Sequence, residues 1–168
     1  MTAFDPAKSI DPGSAHHPVY ADEKSRQPYL LADAEFFNIL EAVIRMHYQD
    51  QNFNVDELAR ISRISLSHLR ERVRLYYGFP PHFLIENIRL ENSFYLLMLE
   101  FEIYDISLEV GFANPQSYRR TFKRRLHICP SEFKKVIIGD EESKINKLNF
   151  FKDYLWNDKK STFLSGAR

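Results

Sequence analysis

Residues 106–135, ISLEVGFANPQSYRRTFKRRLHICPSEFKK, decide how this chain is read. Apolar residues open the stretch at helical spacing, and Gly111 marks a tight turn. A second helix follows, carrying Arg119, Arg120, Lys123, Arg124 and Arg125, and Pro130 breaks it. A short helix, a turn and a basic second helix make the layout of a helix-turn-helix, whose second helix fits the major groove of DNA.

The charge of the whole chain conceals this feature. Its 168 residues carry 23 basic and 23 acidic side chains, a formal net charge of zero. Residues 1–52 hold 4 basic and 8 acidic side chains, residues 53–135 hold 13 and 10, and residues 136–168 hold 6 and 5. The basic excess therefore falls with the motif. A local patch is enough for nucleic acid, because phosphate attraction is screened beyond about 8 Å at physiological salt.

The length suits one domain with tails, or two very small domains, and 44% hydrophobic residues argues against wholesale disorder. The single Cys129 excludes an intramolecular disulfide framework and fits a reducing cytoplasm, where it reads as a small packing residue beside Pro130. The N-terminus lacks a basic segment followed by an apolar core, so no signal peptide is expected. No run approaches the roughly 20 apolar residues of a membrane span, so no membrane partner is expected. Paired carboxylates, a phosphate-cradling glycine loop and a Cys/His constellation are all missing, and the chain has 5 glycines. Neither an enzyme nor a cofactor is expected. His16-His17 has no further ligand at helical spacing and is not read as a metal site.

Residues 1–32 contain Pro6, Pro12, Gly13, Pro18 and Pro28 without apolar periodicity, and read as a flexible arm. Asp33 is placed to cap a helix over residues 33–48, with Phe36, Phe37, Leu40, Val43, Ile44 and His47 as its apolar stripe. Short helices are expected over residues 55–62 and 66–77, the latter stopped by Gly78 and Pro80-Pro81. A long helix should cover residues 82–100, followed by helices over 105–110 and 115–126 and a last one after Pro130. Strand signals are weak throughout, so the expected fold class is all-α.

The halves of this region align. Leu58-Ala59 matches Ile106-Ser107, and Arg63-Ile64-Ser65 matches Gly111-Phe112-Ala113, at an offset of 48. After the turn the second copy gains one residue. Leu69 then matches Tyr118, Val73 matches Phe122, Arg74 matches Lys123 and Pro81 matches Pro130, at an offset of 49. The matched apolar pairs should fill equivalent core positions.

At these residues the chain resembles the AraC/XylS family of bacterial transcription regulators. The residues that carry the resemblance are Ile106, Gly111-Phe112, Pro115, Tyr118, Arg120, Phe122-Lys123 and Pro130-Ser131-Glu132-Phe133. The segment IRLENSFYLL, residues 88–97, looks like the family's Arg-Leu-Glu linker helix. The resemblance spans about residues 37–135. It implies two helix-turn-helix subdomains, homeodomain-like trihelical units, joined by a long linker helix. It also implies binding of double-stranded DNA through successive major grooves, and gene activation through contact with RNA polymerase. The domain is similar, too, to the DNA-binding ends of some large bacterial sensor-regulator proteins.

Residues near the start of a recognition helix can reach base edges. In the second motif these are Asn114, Gln116, Ser117 and Arg120, and the family's contact positions map onto Gln116, Ser117 and Arg120. Gln pairs bidentately with adenine and Arg with guanine. Lys123 and Arg124 lie a turn later and suit phosphates. The plain alternative for each charge is a solvated helix face. In the first motif the contact positions map onto Ser67, Arg70 and Glu71, while Arg70 and Arg74 lie four apart and suit the DNA backbone.

That first motif departs from the family pattern. Glu71 stands where many relatives have a basic residue, and Arg72 stands where a buried apolar one is usual, so Arg72 must reach solvent, find a carboxylate or mark a shifted helix. Arg63 replaces the turn glycine, at a cost of about 1 kcal/mol for positive φ, so an altered turn is one expectation.

The linker is apolar nearly all round, through Leu90, Phe94, Tyr95, Leu96, Leu97, Met98 and Phe101, and needs cover on more than one side. Residues 136–168 form an extension with an amphipathic stretch containing Ile145, Leu148, Phe150-Phe151 and Tyr154-Leu155-Trp156. This tail either packs on the linker or joins it in a homodimer or partner-protein surface. The alternative is that the aromatics simply enlarge the local core. About 30 residues precede the first helix, which leaves no room for a usual effector domain unless the chain is a fragment. The competing function is a protein-interaction module on a degenerate helix-turn-helix fold.

Overall fold

The structure, a computed structural model, describes residues 23–156, with side chains from residue 34 onward. Of the expected arm over residues 1–32, residues 1–22, with His16-His17, lie outside the described residues, as do the last residues of the tail, while residues 23–32 are helical instead. The order is α1 (Glu23–His47), α2 (Val55–Ile61), α3 (Leu66–Tyr77), α4 (His82–Met98), α5 (Ile103–Glu109), α6 (Pro115–Leu126), α7 (Pro130–Val136) and α8 (Glu141–Trp156). Among the described residues there is no strand.

The chain divides into two units, Met1–Glu35 and Phe36–Arg168. The described part of the first unit is the opening stretch of α1. This corrects the expected helix start at Asp33, because α1 begins at Glu23 and runs through Pro28. Proline is costly inside a helix, but the residues after it, including Leu30, Leu31, Ala32, Ala34 and Glu35, are mostly strong helix formers and sustain the run. All further description concerns the second unit.

That unit holds two cores. The first gathers Phe37, Leu40 and Ile44 of α1, Leu58 and Ala59 of α2, Leu69 and Val73 of α3, and Leu84, Ile85 and Ile88 of α4. The second gathers Leu90, Phe94 and Leu97 of α4 with Ile106, Val110, Phe112, Tyr118, Phe122, Leu126 and Phe133. The α4 helix is thus shared: its first half closes one trihelical unit and its second half the other. Tyr118 and Phe122 are fully buried, as are their counterparts Leu69 and Val73. A buried tyrosine ionises reluctantly, and burial pushes the Tyr118 phenol well above its ordinary range.

The repeat extends to the backbone. Ile64 N–H donates to Ala59 O at 3.1 Å, and Phe112 N–H donates to Ser107 O at 2.8 Å, so both turns close alike. Both α3 and α6 end on a left-handed residue, Gly78 (φ 82°) and His127 (φ 60°). The N–H of each donates back to the matched carbonyls of Arg74 and Lys123. The turn expected to differ at Arg63 is retained, since Arg63 adopts φ 55° and Gly111 φ 81°. Arg63 is exposed, and the turn bears the cost of about 1 kcal/mol of a non-glycine residue at positive φ. Gly111 cannot be replaced so easily, because a Cβ there would lie 2.0 Å from Tyr48 O and 3.0 Å from Arg89 Nε.

Arg72 neither shifts its helix nor sits in the core. It is half-buried, with its guanidinium 3.8 Å from the centre of the Phe36 ring, a cation–π contact that shields the stem while leaving the charge near water. The tail forms α8, which packs on α4 and α6. Leu148 and Leu155 join the second core, and Phe151 packs edge-on to Phe94 and tilted against Phe133. This cover meets one side of the apolar linker, while Tyr95 and Leu99 stay exposed.

Two stability measurements follow. Gly111→Ala should cost at least about 2 kcal/mol in urea unfolding, from positive φ and from collision with Tyr48 O, whereas Arg63→Gly should cost nothing or stabilise slightly. Tyr77 lies between Phe37, Phe79 and Trp156, and burial pushes its phenol up from 10.0 to about 12, with Glu41 adding to the effect. Between those values the unfolded chain loses this proton while the folded chain keeps it, so stability should fall as pH rises through that interval. Tyr77→Phe should flatten this part of the stability–pH curve.

Candidate nucleic-acid interface

The second helix of the second motif, α6, is held from behind and open in front. Its inward residues Tyr118, Phe122 and Leu126 recur every four positions and are buried. The opposite side presents Gln116, Arg119, Arg120 and Lys123 to solvent. Pro115 occupies the first turn, where no N–H is needed. Asn114 caps the helix by accepting from Ser117 N–H at 2.9 Å, and the Ser117 hydroxyl donates to Asn114 O at 2.9 Å. Both residues were expected at base edges. Here the Asn114 carbonyl oxygen and the Ser117 hydroxyl proton hold the helix start, leaving the Asn114 amide nitrogen as the outward donor.

The five basic residues of α6 divide into two groups. Arg119, Arg120 and Lys123 lie on the solvent side. Arg124 and Arg125 turn back onto α4. Arg124 pairs with Glu86 at 2.5 Å, with its guanidinium 5.7 Å from the Phe83 ring centre. Arg124 remains half-exposed, but its charge is already partly neutralised by a carboxylate. Arg125 stacks on Phe83 at 3.9 Å and donates to Asn87 Oδ1 at 2.9 Å and Leu155 O at 3.1 Å. It is built into the fold.

The counterpart of α6 in the first motif, α3, buries Leu69 and Val73 and presents Ser67, His68, Arg70, Glu71, Arg74 and Leu75. Ser65 caps it by accepting from His68 N–H at 3.3 Å. Arg70 and Arg74 line a shallow cleft with Val55, Pro80, Pro81 and His82, which puts two guanidinium groups beside the entry to α4. At the offset of 49, Ser67 stands at the place of Gln116, Arg70 at that of Arg119, Arg74 at that of Lys123, and Glu71 at that of Arg120. The exposed guanidinium of Arg120 on α6 is therefore answered by the Glu71 carboxylate on α3.

Two exposed residues escaped the sequence reading of the interface. Arg119 is the counterpart of Arg70, and His68 the counterpart of Ser117. Strict use of the offset would have found both. Among the described residues, no group of three or more His, Cys, Asp or Glu could hold a metal ion, and no helix is long and apolar enough to cross a membrane.

These features agree with comparisons to known proteins. A family model described as a helix-turn-helix domain matches residues 58–135, a little under half the chain. The HTH-type transcriptional regulator MtrA of Neisseria gonorrhoeae is 26% identical over 87 residues, which cover 51% of this chain and 29% of that protein. An uncharacterized response regulatory protein of Staphylococcus epidermidis is 25% identical over 129 residues, covering 76% of this chain and 49% of that protein. The chain thus spans less than half the length of these relatives. The solved C-terminal domain of AraT, a response regulator from Geobacillus stearothermophilus, superposes with a TM-score of 0.57 at 20% identity, over 63% of this chain and 88% of that one. The C-terminal domain of the two-component response regulator yesN from Fusobacterium nucleatum superposes with a TM-score of 0.54 at 23% identity, over 58% and 95%. These solved domains share the fold of α-helices arranged around a linker. A helix-turn-helix domain model thus matches residues 58–135, and the solved domains share the fold of this region.

Proposed function

We propose that this chain is a cytoplasmic, sequence-specific regulator of transcription that binds double-stranded DNA through α6 and α3 in successive major grooves. The observation that carries the reading is the front of α6. Gln116, Arg120 and Lys123 share one solvent-facing strip on a helix whose other side is fixed in a buried core. A rigid helix with a polar, cationic strip suits a groove about as wide as a helix with its side chains.

In this reading Gln116 and Arg120 contact base edges, assisted by Ser117 and the Asn114 amide nitrogen. Arg119, Lys123 and, more weakly, Arg124 meet phosphates. On α3, Ser67 and Glu71 face the bases, Glu71 as an acceptor from cytosine, while Arg70 and Arg74 hold the backbone. Two Arg on α3 against one carboxylate still leave net attraction to phosphate. Contact with RNA polymerase belongs to the same proposal and rests on the family resemblance.

A second reading has its own observation. Leu75 is 79% exposed and Tyr76 50% exposed on α3, next to Glu71, which suits a protein surface better than a phosphate backbone. It makes the first motif an interaction surface and leaves DNA to the second.

Binding of labelled duplexes by anisotropy separates these cases, using fragments selected from genomic DNA by the purified chain. Arg120→Ala should lower affinity for the selected site by about ten- to hundredfold and relax the choice of base at one position, in line with a lost bidentate pair. Lys123→Ala should weaken binding to all sequences alike and flatten the log–log salt slope by about 1. Unchanged binding in both variants would overturn DNA recognition by α6. Glu71→Ala should alter selectivity if α3 reads bases. If α3 instead faces a protein, it should change nothing except nonspecific affinity.

A further inference from the structure

We propose that α8 is a clasp that sets the spacing and angle between the two recognition helices, and so determines which separation of DNA half-sites the protein accepts. The inference rests on the DNA-binding reading for its function but on separate contacts for its geometry. The helix lies beyond residues 58–135, the span matched by the family model.

The clasp closes at one carbonyl. Leu155 O accepts from Asn87 Nδ2 at 2.8 Å and from Arg125 Nη2 at 3.1 Å, while Arg125 Nη2 also donates to Asn87 Oδ1 at 2.9 Å. Three helices meet there: α4 through Asn87, α6 through Arg125 and α8 through Leu155. Asn87 is fully buried, so both ends of its amide need partners, and here both have them. Apolar contacts alone would let α6 slide against α4 with small loss. Directional bonds within a buried polar cluster permit one placement, because each shift strands a donor or acceptor.

The cluster reaches the first motif as well. Arg125 lies flat on Phe83, 3.9 Å from its ring centre, and 5.9 Å from that of Phe79. The neighbouring Trp156 packs against both cores and lies 6.0 Å from the Tyr77 ring at the end of α3. The end of α8 therefore touches the close of one recognition helix and the last turn of the other. Pairs of Lys152 and Arg45 with Glu91, at 3.5 Å each, lie at the surface and add little.

Rigid coupling matters because two reading heads on one DNA gain affinity from each other only when both fit at once. With the clasp closed, a half-site separation differing by one base pair cannot be met by both helices. With it open, each helix finds its groove by flexing about α4.

The test uses the full chain, Arg125→Met, Trp156→Ala and a truncation ending at Asp140. Spin labels at Leu75 and Lys135 report the inter-motif distance in a Cys129→Ser background, and circular dichroism checks folding. The full chain should give one narrow distance distribution, and each variant a broader one. Duplexes recovered by selection, with one base pair added or removed between half-sites, should bind the full chain about tenfold or more weakly, and the variants by less than about threefold. If the variants melt earlier yet keep the narrow distribution and the same spacing penalty, α8 merely adds stability and the clasp is overturned. A full chain indifferent to spacing also overturns it. If the full chain binds no duplex, the DNA-binding reading fails, and the distance measurement alone decides whether α8 fixes the two motifs. Should the truncation not fold, the point variants still decide.

Discussion

The guanidinium of Arg89 donates to the carbonyls of Tyr48, Asp50 and Phe53 at 2.8, 2.7 and 3.2 Å. It is half-buried, and loss of water pushes its pKa down, so those carbonyls must compensate the charge. Hydrogen bonds to a charged group contribute about 1.5–3 kcal/mol each, enough to anchor the end of α1 and the loop after it. Arg89 stands between Ile88, which belongs to the first core, and Leu90, which belongs to the second. It therefore sits where one core hands over to the other. The second turn meets it there, for Gly111 abuts Tyr48 O and Arg89 Nε. A side chain on Gly111 would push the second motif off the first.

Around this junction the two motifs differ. Each has a capped helix start and a non-glycine residue at positive φ, but the second has Tyr118 and Phe122 where the first has Leu69 and Val73, and a glycine at the point of closest approach. The first tolerates exposed Arg63 at positive φ, a half-buried Arg72 under a phenyl ring, and exposed Leu75. Its front carries a carboxylate where the second has a guanidinium. The fold survives these differences because none lies among the inward positions, where Leu69 and Val73 match Tyr118 and Phe122 in burial. The two units share core positions and turns, while their solvent faces differ.

Much of this was legible in the sequence. Helix periodicity and the offsets of 48 and 49 located α2 to α6 within a few residues, since burial repeats wherever the backbone repeats. The early start of α1 was hidden by Pro28, whose penalty the surrounding helix formers outweigh. The inward turn of Arg124 and Arg125 was hidden too. Their partners Glu86 and Asn87 lie 38 positions earlier, and nothing local distinguishes a basic residue facing DNA from one facing another helix.

By itself, then, the sequence determined the class of fold, the two helix-turn-helix units and the polar, cationic strip of α6. Those features depend on periodicity and turn chemistry, which act over a few residues. The tertiary structure decided which basic side chains face outward. It also decided that Asn114 and Ser117 serve the helix start, and that α8 covers the linker and closes on Asn87 and Arg125. Such outcomes depend on helices remote in sequence meeting at one place, where a buried amide and a guanidinium must both find partners.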